Sequence, residues 1–203
     1  MFTFNEPTPE QVCEILAHAA TSALSYESVG ATRDDAHHVA GFTHDHARVQ
    51  VGHGAPDFEA ACNALRAWVM FPKSFTTVHP ANAPIATGTN VFVAIRLFGL
   101  TWRTTSRVVY VINEHLPLRF GFAYGTLAEH PERGEERFLV EQLADGSVWY
   151  DLRAFSKPNY LIATLGHPFV RASQRRFREE SCAAVKQFVL QATHHNSSSQ
   201  RSS

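Results

Sequence analysis

The sequence predicts an α+β fold, a curled antiparallel sheet of about six to seven strands packed on a long C-terminal helix, and three observations carry that expectation. Residues 73–156 read as six strand-length runs with short connections, the texture of an antiparallel meander. After them comes a helical pattern whose apolar residues, Val170, Phe177, Ala184 and Phe188 with Val185 nearby, form a stripe that needs a broad surface to cover it. The length of 203 residues suits one domain burying roughly 70% of what its unfolded chain exposes, and would make two domains cramped.

The elements follow in order. Residues 10–20 form a short amphipathic helix with Val12, Ile15, Leu16 and Ala19 on one side, preceded by prolines suited to a helix start. A polar connection leads to a first short strand over 46–51, ended by GHGAP. A helix over 57–69 follows, carrying Phe58, Ala61, Leu65, Trp68 and Val69 at helical spacing and stopped by Phe71-Pro72. The six runs are FTTVH, TNVFVAIRLF, TWRTTSRVVYVI, LRFGFAYGTL, ERFLVEQL and SVWYDLRAF. For the last pair, a loop of Ala144, Asp145 and Gly146 puts Gly146 at a left-handed position and opposes Val140 to Tyr150 and Phe138 to Leu152. A shorter loop of Asp145 and Gly146 would set Val140 against Asp151 and mix the faces. After Lys157-Pro158 the chain turns helical to about Gln191, with a break near Gly166-His167-Pro168. The expected organisation is an N-terminal helical extension over 1–23, a single domain over 24–191 and a disordered tail over 192–203, where apolar periodicity is lost.

Composition removes several classes of function. Lys plus Arg number 18 against 19 Asp plus Glu, a formal charge of -1, so no global field favours nucleic acid. Cys13, Cys62 and Cys182 show neither a pairing pattern nor metal-ligand spacing, which fits reduced thiols and a cytoplasmic location. The start, MFTFNEPTPE, lacks the basic and apolar runs of a secretory signal. No stretch of eighteen apolar residues occurs, so no transmembrane helix is expected, while peripheral membrane contact stays open.

The run GFAYGTLAEHPERGEERF over 121–138 is the most distinctive stretch. Phe120, Phe122 and Tyr124 share one sheet face, while Gly121, Ala123 and Gly125 leave the other nearly bare, so something must pack closely there. Together with LSYESVGATR from Leu24, ALRAWVMFP from Ala64, SVWYDLRAFSKP from Ser147 and LGHPFVRASQRRF from Leu165, it resembles the signature blocks of Uncharacterised Protein Family 0548. That family is a domain of unknown function with bacterial and plant members. The resemblance covers roughly residues 24–189 in the expected order and brings no established activity and no catalytic residues. The order of elements resembles the helix-grip, START-like or Bet v 1-like, architecture, which implies an apolar cavity between sheet and final helix. Plant members have been proposed to act at the plastid outer envelope, which implies an alternative reading as a membrane-associated pore or envelope protein. Against that reading stand the seven candidate strands, fewer than the smallest bacterial barrels use. The chain departs from the family in its His-rich THDHARVQVGHG segment and its serine-rich tail.

The residues lead to a protein that binds an apolar or amphipathic small molecule or lipid in that cavity. Trp68, Phe92, Trp102, Tyr110, Phe122, Tyr124, Tyr150 and Phe177 are the candidate ligand contacts, aromatic walls with a few oriented hydroxyls. The alternative is a cavity-based acid/base enzyme of the cyclase or hydrolase kind, with Tyr124, His130 and Glu136 as the candidate acids and bases, more readily set aside than the binding reading. In HPERGEERF the blander reading is a solvated hairpin turn. Glu135 and Glu136 must face opposite ways, and Glu136, with the parity of Phe138 and Val140, faces inward. His44, Asp45, His46 and His53 invite a metal, but with 12 histidines in the chain a local cluster arises easily, and neither a metal nor a cofactor is expected. Arg171, Arg175 and Arg178 lie along one side of the last helix, as a solvated face or a seat for an anionic group.

Overall fold

A computed structural model describes residues 2–3, 7–97, 100–159 and 167–200. Strand β1 (Phe2–Thr3) precedes helix α1 (Pro9–Thr21), which starts at Thr8 through a capping box: the Thr8 hydroxyl accepts from the Gln11 amide and the Gln11 side chain accepts from the Thr8 amide. Strand β2 (Thr43–His53) is longer at both ends than the sequence suggested, because it pairs with the last strand from Thr43 opposite Ser156 to His53 opposite Ser147. Helix α2 (Ala55–Arg66) ends before residue 69, since Trp68 takes a left-handed backbone, φ 54°, and turns its indole into the core.

The six runs become β3 (Thr76–His79), β4 (Asn90–Leu97), β5 (Leu100–His115), β6 (Leu118–Thr126), β7 (Glu132–Gln142) and β8 (Ser147–Pro158). They form an antiparallel sheet in the order β2-β8-β7-β6-β5-β4-β3, with β1 paired to β5. Since β2 and β3 lie at opposite edges, α2 must carry the chain across the sheet between them, and it packs there against α3 (His167–Gln200). The β7–β8 register has Val140 opposite Tyr150 and Phe138 opposite Leu152, as the longer loop requires, and Gly146 has φ 83°.

Several expectations change. The described part of the segment read as an extension, residues 2–3 and 7–23, docks on the sheet: β1 joins β5, and the Arg107 guanidinium donates to the Ala19 carbonyl at 2.6 Å. The helical start expected after Pro158 falls on 160–166, outside the described residues. Residues 192–200, expected as tail, continue α3, whose core-facing series Val185 and Val189 is extended by Ala192.

The concave face carries the main core, with Val91, Val108, Phe122, Phe138, Val140, Tyr150 and Leu152 meeting Leu65 of α2 and Val185 and Val189 of α3. The convex face buries Tyr110, Ile112, Ala123 and Leu139 in one cluster and Tyr26, Val39 and Phe155 in another. The close packing foreseen against the bare face of β6 is explained by Tyr26, whose phenol would collide with any Cβ at Gly125. Among the described residues no helix is long and apolar enough to cross a membrane.

Candidate functional site

Inward-facing side chains shrink along the sheet toward the N-terminal end of α3. On β7 the series Val140, Phe138 gives way to Glu136, Gly134 and Glu132. On β8 Tyr150 and Leu152 give way to Ala154 and Ser156, and on β5 Val108 gives way to Ser106 and Thr104. One half of the concave face is therefore solid, and the other holds a cavity of about 160 Å³ beneath α3, partly open to solvent. Phe71, Phe75, Val93, Ile95 and Phe177 make its apolar wall. Asp45, Tyr124, Glu132, Glu136, Ser156 and Arg178 make a polar one.

Tyr124 and Glu136 are directly opposite on β6 and β7, and the Tyr124 hydroxyl donates to Glu136 Oε2 at 2.6 Å. Burial raises the Glu136 carboxyl to about 7, against the Tyr124 hydrogen bond and the Arg178 charge, which favour its ionised form. Burial, then the Glu136 charge, pushes the Tyr124 phenol well above its ordinary value. Burial also raises Glu132, with Ser156 and the Arg171 charge acting the other way. His130 is held in place by its own neighbour, with Nδ1 2.7 Å from the Glu132 carbonyl oxygen and 3.0 Å from the Glu132 amide nitrogen. Burial takes its ring down to about 4, so the imidazole is neutral near pH 7. Asp45, from β2, accepts from Arg171 at 2.6 and 2.7 Å and lies 2.9 Å from Arg178.

Of the residues named from sequence, Tyr124, His130, Glu136 and Phe177 line this cavity. The other named aromatics do not. Trp68 donates its indole N–H to the Ala83 carbonyl and packs on Phe122, with ring centroids 5.1 Å apart, and both fill the solid half. Tyr150 is fully buried there, its hydroxyl 2.8 Å from Ser181 Oγ on α3. Phe92 falls between the inward Val91 and Val93 and so faces the other side. Trp102 stands opposite Ile95 at the cavity face but outside the lining. A bulge between Val108 and Tyr110 turns Tyr110 to the convex side, where it meets Thr32 Oγ1 at 2.8 Å.

The HPERGE segment is not a solvated turn. β7 begins at Glu132, and both Glu132 and Glu135 are buried. The arginine stripe divides, with Arg171 and Arg178 turned in on Asp45 and Arg175 exposed. The histidines of β2 do not converge: His44 stacks on His38, His46 Nε2 is 2.7 Å from Asp151 Oδ2, and His53 Nε2 is 3.0 Å from the Asp145 carbonyl. Among the described residues no group of three or more potential ligands is placed to hold a metal. Sequence reasoning named Asp45 only within the histidine cluster and Glu132 only within the HPERGE turn, and gave neither a place at the cavity. The first was hidden among histidines, although Arg171 and Arg178 are two helical turns apart and aim at one partner. The second shares the parity of Glu136, a signal available once β7 is extended by two repeats.

Residues 25–184 match a family described as a domain of unknown function (DUF1990). A UPF0548 protein of Deinococcus radiodurans is 39% identical over 191 residues, covering 87% of this chain and 92% of the relative. The chain belongs to this family. A UPF0548 protein of Arabidopsis thaliana is 32% identical over 200 residues, covering 92% of this chain and 97% of its own. Among solved structures, this UPF0548 protein is similar to the Zhui aromatase/cyclase of a Streptomyces species, with a TM-score of 0.54 at 13% identity over 75% of this chain and 96% of that one. It is also similar to a START superfamily protein of Mycobacterium smegmatis, with a TM-score of 0.50 at 14% identity over 74% and 99%. These likenesses establish the fold alone, a START-like, Bet v 1-like helix grip.

Proposed function

We propose that this UPF0548 protein binds an apolar or amphipathic small molecule in the cavity between its sheet and α3. The observation that carries the reading is the abrupt change from Phe138, Val140 and Tyr150 to Gly134, Ala154 and Ser156 at inward positions, which leaves a partly open hollow with one apolar and one polar wall. Its volume of about 160 Å³ is near that of a cavity, roughly 150 Å³, known to admit benzene. That size favours a ring-sized molecule over a lipid with full acyl chains. Titration of isotope-labelled protein with benzyl alcohol, followed by NMR, is expected to shift the resonances of Val93, Ile95, Tyr124 and Phe177, and Val93→Phe is expected to abolish the effect. Unmoved resonances at millimolar probe would refute the reading.

A second reading, an acid/base enzyme, is favoured by one observation: a carboxyl titrating at about 7 beside a tyrosine hydroxyl, both facing the cavity. Under it, Glu136→Gln retains a captured ligand and stops its conversion, read by mass spectrometry of the bound molecule over time. Unchanged ligand with the native protein leaves binding alone. The pore reading draws no support from the described residues, since β2 and β3 end the sheet unpaired to each other and α2 and α3 fill its concave side.

A further inference from the structure

We propose that the molecule bound in this cavity carries a protonated amine on a ring-sized apolar body, with its ammonium group seated at Glu132 and Glu136. The proposal rests on the cavity being a ligand site and specifies the chemical class of the ligand. Among the described residues four carboxylate residues border the cavity, and they are not equivalent. Glu135 is saturated on the convex side by the Tyr26 and Thr32 hydroxyls and the Gly30 and Thr32 amides. Asp45 is neutralised by Arg171 and Arg178. Glu132 and Glu136 have no ion-pair partner among the described residues, and the Tyr124 hydroxyl donates to Glu136. Glu132 is 9% exposed, and its Oε1 is buried with no hydrogen-bond partner among the described residues. A buried carboxylate oxygen left unpaired is costly, and it marks where a donor from outside the chain belongs.

The ligand's charge follows from the surroundings. An anion would face two glutamates that no guanidinium pairs directly, and among the described residues the guanidinium in the lining, that of Arg178, is already engaged by Asp45. A neutral hydroxyl could satisfy one oxygen and leave the charge of the site unmatched. An ammonium has three donors for the Glu132 and Glu136 oxygens, and these bonds are charge-assisted. The raised carboxyl of each glutamate points the same way, because a cation beside them removes the penalty that burial places on their ionised forms. The rings of Phe71 and Phe177, with centroids 5.3 Å apart on the apolar wall, suit the body of such a ligand.

The test uses the full chain at pH 8 and three probes of nearly one shape, benzylamine, benzyl alcohol and benzoate, with dissociation constants from NMR titration. Benzylamine is expected to bind about 10-fold or more tightly than benzyl alcohol, with benzoate the weakest. In Glu132→Gln the advantage of benzylamine should shrink to about 2-fold or less while benzyl alcohol binds as before. Glu136→Gln serves in the same way should the first variant fail to fold. If benzyl alcohol binds the native protein as well as benzylamine does, if benzoate binds best, or if both variants keep the amine preference, the ligand class is wrong and the cavity reading stands. Binding of none of the three removes the cavity reading and this proposal with it.

Discussion

Glu135 and Glu136 are adjacent on β7, yet strand alternation sends them to opposite faces of the sheet, into contrasting surroundings. Glu135, 2% exposed on the convex side, is saturated: its carboxylate accepts from the Tyr26 hydroxyl and the Gly30 amide, both at 2.7 Å, from the Thr32 amide at 2.9 Å, and from the Thr32 hydroxyl. It fastens the segment around Ala31–Arg33 to the back of the sheet. Arg137, two residues on and on the same side, continues the pattern with Asp151 and Asp35, each at 2.8 Å. Glu136 has the Tyr124 hydroxyl as its one described hydrogen-bond partner and looks into a cavity. A carboxylate with every lone pair occupied builds structure. One with capacity to spare, in a hollow that raises its pKa, is available for chemistry or for a ligand.

The sharpest way to test that contrast is to remove the saturated partner. Glu135→Ala leaves the Tyr26 and Thr32 hydroxyls and the Gly30 and Thr32 amides without their acceptor, and hydrogen bonds to charged groups are worth about 1.5–3 kcal/mol each, non-additively. A loss of about 3–5 kcal/mol in urea-unfolding free energy is expected. A loss below about 1 kcal/mol would show that the convex network is ornamental to stability. Gly125→Ala probes the same face with a smaller effect, because its Cβ would strike the Tyr26 phenol that serves Glu135. A cost of about 1–3 kcal/mol is expected, and Tyr26→Phe should relieve little of it, since the ring edge is close as well as the hydroxyl.

Much of this architecture was legible from periodicity. The meander, the β7–β8 register and the inward aim of Glu136 all follow from period-two alternation combined with one turn whose glycine must be left-handed. The location of the hollow was harder to read, because aromatic residues were taken as cavity walls. Phe122, Trp68 and Tyr150 are too large to leave space beside them and close the core, whereas the cavity lies where inward positions hold Gly134, Ala154, Ser106 and Ser156. Small residues at inward parity on β5, β7 and β8 were the usable signal, visible only once the strands were aligned. The bulge that turns Tyr110 outward and the left-handed turn at Trp68 depend on tertiary packing, and a one-residue shift at either place reverses which way a side chain points. Asp45 was illegible for another reason: its partners Arg171 and Arg178 are more than a hundred residues away, and a solvated stripe and a buried clamp have the same helical spacing.

The smallest expected effect concerns the unsaturated partner, and it carries a pH signature. Glu136 titrates at about 7 in the folded chain against an ordinary 4.5, so folding is disfavoured wherever the unfolded chain would have released that proton and the folded chain has not. Its contribution to stability is fully present below pH 4.5 and is lost as pH rises through 7. Glu136→Gln removes the titration. The variant and the native protein should therefore differ by a constant amount at pH 4, and the variant should gain on the native protein between pH 4.5 and 7 and keep that gain at pH 8. One pKa unit corresponds to about 1.4 kcal/mol, and partial exposure reduces the full value, so a gain of about 1 kcal/mol between pH 4 and pH 8 is expected from unfolding curves. The same substitution at Glu135 should instead cost stability, because an amide cannot accept all four of the hydrogen bonds that the carboxylate holds. Equal stability of the two variants at pH 8 would mean that the faces of β7 do not differ in the way their hydrogen bonds imply.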